Sequence, residues 1–241
     1  MKRMKRLAAI ALAVGLLMSL PATANAASDE TEATSRPTIE QVKERAQAAI
    51  DRRLDTLDEL TQRVTDSAHM TAAHKAVLLG EYASAEFGLS ALGEEIAAAT
   101  SGDELRELVP LIAKDFRIYL VVVPKSREVN ASDRVGDVVD RLDEAADTVA
   151  EAIRRGEEAG FDMSAAQRWL ISARDDIDEA RRTGVPVAGD VIGLQASDWE
   201  EPASSALEEG RRRLENARVD IRKAVASLEQ ARDAIKDAID S

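Results

Sequence analysis

From Leu207 to the C-terminus apolar residues return at spacings of three, four and seven: Leu207, Leu214, Ala217, Ile221, Val225, Leu228, Ala231, Ile235 and Ile239. A helix turns once in 3.6 residues, so this rhythm gathers the apolar side chains into one narrow stripe and leaves the rest of the surface polar. A stripe so long and thin is satisfied only by a partner helix laid along it, which points to coiled-coil-like packing. Composition agrees. The chain of 241 residues is 45% apolar and 32% charged, yet has only 3 Phe, 2 Trp and 2 Tyr. That is too apolar for a disordered chain, and its alanine-rich character suits thin seams better than a broad core. With no cysteine, disulfide frameworks, thiolate chemistry and thiolate metal sites are excluded.

The same rhythm recurs upstream. Thr38 and Gln41 form a capping box ahead of Ile39, Val42, Ala46, Ile50, Leu54, Leu57, Leu60 and Val64. After a break at Asp66–Thr71, Thr71 caps a second helix through Val77, Leu78, Ala85, Leu89, Leu92 and Ile96, and so short a link makes the two antiparallel neighbours. Ser101 and Glu104 open a predicted third helix ending in Ile118–Val123, with Pro110 kinking it and Pro124 ending or kinking it again. The β-branched end would also suit a buried strand, but no other segment offers a strand to pair with. Further helices are predicted from Ser132 to Gly160, from a Ser164/Gln167 cap to Gly184, and from a Ser205/Glu208 cap to the end. The expected fold is all-α: an elongated antiparallel bundle of about six helices. Four of the seven aromatics, Tyr82, Phe87, Phe116 and Tyr119, are expected in one core cluster, and Trp169 in the core.

The N-terminus carries Lys2, Arg3, Lys5 and Arg6, an apolar run from Leu7 to Leu20, Pro21, and the small-residue ending Ala24-Asn25-Ala26. These are the three regions of a secretory signal peptide, and the run is short of the roughly 20 residues that span a bilayer. The division expected is therefore a leader over 1–26, a flexible tether over 27–36, a helical hairpin plus third helix over 37–125, and a three-helix segment over 126–241 with a long loop at 184–202. Removing the four basic leader residues from 32 Lys+Arg leaves 28 against 45 Asp+Glu, a net charge of −17. So acidic a surface repels phosphate backbones and anionic lipid heads, which argues against nucleic acid and against membrane binding once the leader is cleaved.

The string Asp115-Phe116-Arg117-Ile118-Tyr119-Leu120-Val121-Val122-Val123-Pro124-Lys125, followed by Ala131-Ser132-Asp133-Arg134, resembles a segment shared by uncharacterised exported helical proteins of Gram-positive-type bacteria. The resemblance extends over most of the chain after the leader. It implies export and a helical bundle, and it brings no activity or catalytic residues with it.

Few residues could carry chemistry. His69 and His74 are the only histidines, and five residues apart they lie about 140° from each other on a helix. Asp66, His69 and His74 would converge on a zinc or copper ion only if the turn folded suitably; otherwise they are solvent-facing groups at a hairpin. The carboxylates flank apolar seams as a solvated face would, and there is no calcium loop, phosphate loop or Gly-x-Ser-x-Gly elbow. Expected, then, are no catalytic residues and no cofactor. The scattered glycines and prolines of 184–202 mark a long loop suited to recognition, with Asp198, Trp199 and Glu200 as candidate contacts, although Trp199 could instead dock back on the bundle. The expected role is that of an exported, secreted, non-enzymatic protein working through contact with a cell-envelope or extracellular protein, or as a spacer, with self-association a further partner choice. The alternative is a membrane-active protein whose helices insert. Against it, the most apolar helix holds Arg106, Glu107, Lys114, Asp115 and Arg117, which are costly in a bilayer.

Overall fold

Thr38 starts the first helix through the predicted capping box: its hydroxyl accepts from the Gln41 N–H at 3.2 Å, and the Gln41 side chain accepts from the Thr38 N–H at 3.0 Å. The computed structural model describes residues 37–241, so the predicted leader and tether, 1–26 and 27–36, lie outside the described residues. Helix α1 (Ile39–Asp66) and helix α2 (Ala72–Ala98), capped by Thr71, form the predicted antiparallel pair. Lys43 Nζ donates to the Ala97 carbonyl and Lys75 Nζ to that of Thr65, each at 2.8 Å, pinning opposite ends of the hairpin. Between them Ile50, Leu57, Leu60 and Val64 of α1 are buried with Leu78, Tyr82, Leu89, Leu92 and Ile96 of α2. Each such large side chain contributes about 1.5–3 kcal/mol of transfer free energy.

The predicted third helix does not form as one rod. Ser101 does cap with Glu104, but the segment divides into α3 (Gly102–Leu108), α4 (Leu111–Lys114) and a wide π turn over Ile118–Val122. Pro110 has no N–H to carry the α3 ladder forward, and instead sits just ahead of α4, where none is needed. Arg117 then turns left-handed, with φ 37°. The β-branched run is helical, as preferred over a strand, and buries Ile118, Val121 and Val122. Pro124 does not end a helix. It lies in the first turn of α5 (Val123–Glu158), which runs unbroken through residues 126–131, where no helix was predicted.

Helix α6 (Ser164–Gly184) stops at Gly184 as expected, but Ser164 is its first residue rather than its cap, and its N–H is held by the Asp162 carboxylate at 3.0 Å. The stretch 184–202 is not the irregular loop the sequence suggested. It contains α7 (Val187–Val191), a 3-10 turn (Ala196–Asp198) and a π turn (Trp199–Ala203), and it buries Val187, Ala188, Val191 and Leu194. Buried Ser132 of α5 anchors it, lying 2.9 and 2.8 Å from the Gly184 and Val185 carbonyls and accepting from the Ala188 N–H at 3.1 Å. Helix α8 (Ser204–Asp240) completes the chain; Ser205 lies inside it and bonds Glu201 instead of capping. The described residues hold five helices of 21 residues or more, not six, and no strand.

Helices α5, α6 and α8 pack on one another. The α6–α8 seam is built from Ala166, Leu170, Ala173, Ile177, Ala180 and Gly184 against Leu214, Ala217, Ala224, Leu228 and Ala231, small residues mixed with large at spacings of three, four and seven. The small residues bring the backbones close: a Cβ on Gly184 would lie 2.8 Å from both the Ala217 Cβ and a Val135 methyl. Cross-helix ion pairs Arg174–Asp147 and Arg181–Asp140 run α6 antiparallel to α5.

The expected aromatic cluster is absent. Tyr82 is buried, but Phe87 is 79% exposed, Phe116 packs over Gly88, and Tyr119 lies at the surface with Arg53 over its ring. Trp169, expected in the core, is 42% exposed, because the α6 face that meets α8 is the alanine stripe one position on.

Candidate interaction groove

On α5, Arg127, Ala131, Arg134 and Val138 recur at four, three and four, and on α8 Leu207, Arg211, Leu214, Arg218 and Ile221 follow the same rhythm. Each set therefore occupies one face of its helix. Where the faces meet, they frame a hollow of about 520 Å³ with Leu120, Pro124, Leu207 and Leu214 in its lining and Trp199 at its side. A second hollow of about 360 Å³ shares Ala131 and Arg218 and adds Val135, Val138 and Ile221, so the groove follows the α5–α8 seam. No residue of α6 lines either hollow.

The walls are basic. Arg127, Arg134, Arg211, Arg218 and Arg222 are all exposed along the groove, and none of them forms an ion pair among the described residues. Of the sixteen other arginines in 37–241, ten are ion-paired, as Arg154 is with Glu151 and Glu158 or Arg213 with Asp190. Glu208 is the exposed acid of the lining.

Glu128 stands apart. It is only 8% exposed, its Oε2 has no hydrogen-bond partner among the described residues, and it packs against Gly210, where a Cβ would force the carboxylate to shift. Burial pushes its carboxyl up to about 7, and nearby Arg211 offsets that only in part. Near neutral pH it is therefore divided between a proton donor and a carboxylate.

Polar groups are also buried at the start of α5. Lys125 is fully buried, with Nζ 2.5 Å from Glu81 Oε2 and 2.6 Å from the Leu194 carbonyl it donates to. Ser126 donates to the Val122 carbonyl at 2.6 Å and lies 2.5 Å from the Tyr82 hydroxyl, whose pKa burial raises to about 12. These contacts tie α2, α5 and the 184–202 segment together.

Of the candidate contacts Asp198, Trp199 and Glu200, Trp199 alone lines the groove, half-buried against the core. Asp198 accepts from the Gln195 N–H at 2.8 Å and so caps its own turn, while Glu200 is exposed. Asp66, His69 and His74 are not brought together. His69 Nδ1 lies 2.8 Å from Asp137 and His74 Nδ1 2.8 Å from Asp133, two carboxylates of α5, whereas exposed Asp66 ends α1. Asp133 also accepts from the Thr71 N–H at 2.9 Å, so this corner docks the hairpin tip on α5. Among the described residues no group of three or more His, Asp or Glu is placed to hold a metal ion.

Sequence reasoning missed the arginine walls and Glu128. For Glu128 a signal was present: Val121, Lys125, Glu128, Ser132, Val135 and Val139 repeat at four and three, so two charged residues occupy the buried register of α5. No family model matches the chain, and neither a curated protein nor a solved structure shows significant similarity to it.

Proposed function

We propose that this chain is an exported, non-enzymatic helical protein, of the kind its Asp115–Lys125 segment resembles, which acts by contact with a protein of the cell envelope or the extracellular space. In this reading the described helices form an elongated, largely antiparallel, coiled-coil-like bundle, and the α5–α8 groove is the contact face. The observation that carries it is the groove itself: a hollow lined by aliphatic side chains beside a half-buried tryptophan, walled by five arginines that have no ion-pair partner among the described residues. Tryptophan and arginine dominate the energetics of protein contacts because each combines a large buried area with directed polar bonding. The leader's three regions support export. Among the described residues no helix is long and apolar enough to cross a membrane.

The test is photo-crosslinking on intact cells with a benzophenone amino acid at Arg218, in the groove, or at Glu215 as an exposed control on α8. A discrete adduct from position 218 and none from 215 is expected. The same diffuse background from both would defeat the contact reading. N-terminal sequencing of the chain recovered outside the cell is expected to begin at Ala27, and a retained Met1 would defeat export by cleavage.

A further inference from the structure

The groove has a definite chemical preference. It lies between α5 and α8 over the length of the Arg211–Arg222 turns, about 16 Å at 1.5 Å per residue, and α6 occupies the other side of the pair. Two helices with one side uncovered offer the seat that a further helix takes in a bundle, with its apolar stripe on the seam and its flanks against the walls. The floor suits such a stripe: Leu120, Ala131, Val135, Leu207, Leu214 and Ile221 are aliphatic and spaced by helical turns.

The walls decide the charge of the occupant. Five guanidinium groups without an ion pair among the described residues line this seam in a chain that, after its predicted leader, carries 45 acidic against 28 basic residues. Ten of the sixteen other arginines in 37–241 find carboxylates, as Arg154, Arg181 and Arg212 do, whereas none of the five along this seam does. An apolar floor also separates a protein helix from a simple polyanion, which would gain nothing from leucine and tryptophan. Beneath the walls the Glu128 carboxyl is more than nine-tenths buried, its Oε2 enclosed against Gly210 and, among the described residues, without a hydrogen-bond partner.

We infer that the α5–α8 groove binds an acidic amphipathic helix of a partner protein, whose apolar stripe lies on Leu207, Leu214 and Ile221 and whose Asp and Glu side chains pair with Arg127, Arg134, Arg211, Arg218 and Arg222. This rests on the contact reading above and adds to it the chemistry of the partner. Rim charges of this kind chiefly set specificity and association rate, so charge selectivity is the property to measure.

The probe is a fluorescein-labelled amphipathic peptide of about 18 residues, five helical turns, with Leu at alternating third and fourth positions and Glu between. A twin with Lys replacing Glu, and heparin, serve as comparisons. Against the full mature chain, saturable binding of the Glu peptide is expected, with the Lys twin weaker by about tenfold or more. In the double variant Arg211→Glu, Arg218→Glu, two exposed changes whose folding is checked by circular dichroism, the preference should invert. Equal binding of both peptides, or an unchanged preference in the variant, would overturn the inference. So would heparin binding without Glu-peptide binding, which assigns the walls to a polyanion, or a mature-chain dimer that the double variant dissociates, which assigns the groove to a second copy. Failure of the contact reading looks different: the peptide binds with the stated selectivity while position 218 yields no adduct on cells.

Discussion

The α1–α2 hairpin and the α6–α8 pair are both antiparallel helices joined along one seam, and they are packed by opposite means. The hairpin buries large residues, Ile50, Leu57, Leu60 and Val64 against Leu78, Tyr82, Leu89, Leu92 and Ile96. The α6–α8 seam interleaves small residues with its large ones, Ala166, Ala173, Ala180 and Gly184 on α6 and Ala217, Ala224 and Ala231 on α8. Large side chains hold two helices through the area they bury; small ones do so through close approach of the backbones, where dispersion contacts are dense and little can be added. The first seam should therefore be sensitive to truncation and the second to enlargement.

Truncating Leu89 to Ala is expected to produce the largest effect, a loss of about 2–5 kcal/mol in urea unfolding, because a fully buried side chain leaves a cavity behind. A loss under 1 kcal/mol would show that the hairpin seam collapses around the gap. Enlarging Ala224 to Leu in the other seam should cost about 1–3 kcal/mol, since it forces apart backbones that leave it fully buried. A neutral result there would break the contrast between the seams.

The two regions are joined at the hairpin tip, and that joint can be tested separately. Asp133→Ala removes the acceptor for both the Thr71 N–H and His74, and should cost about 1–3 kcal/mol while hydrogen exchange rises first in the opening turn of α2. Exchange rising equally throughout would mean that the tip unfolds together with α5, α6 and α8.

Glu128 should give the smallest effect and the clearest pH signature. Its folded value of about 7 lies above the ordinary 4.5, so between those values the folded chain holds a proton that the unfolded chain has released. Its contribution thus falls as pH rises from about 4.5 to 7 and stays at its lowest above that. Glu128→Gln removes the dependence: the variant should match the parent at pH 4 and exceed it by about 1–2 kcal/mol at pH 8, allowing for screening from the open side of the groove. A gap independent of pH would sink this assignment.

Much of the helical layout was legible because its causes are local. Thr38 with Gln41, Thr71, and Ser101 with Glu104 cap as their spacing predicts, since a cap satisfies amide groups only two or three residues away. Ser164 and Ser205 show the limit: the same pattern occurs, but Asp162 and the π turn at Trp199–Ala203 already occupy those ends. The 184–202 stretch was misread because glycine and proline mark breaks in a helix without saying whether the pieces are buried. Buried Ser132, more than fifty residues away, is what holds it. At the groove, Trp199 could be singled out by its chemistry, whereas the arginines of α5 and α8 could not, since nothing in either helix alone says that the two faces adjoin.

The sequence by itself determined that these residues are helices, where most of them begin, and which stripe of each is apolar, because hydrogen bonds and capping act within a turn and the 3.6-residue period is written in side-chain order. Tertiary structure alone decided which stripes meet. That choice depends on how closely two backbones can approach and on which polar groups find partners across the chain. It made a tight seam of the alanines, buried Lys125 against Glu81, left Glu128 Oε2 unpaired, and aligned five arginines along one open groove.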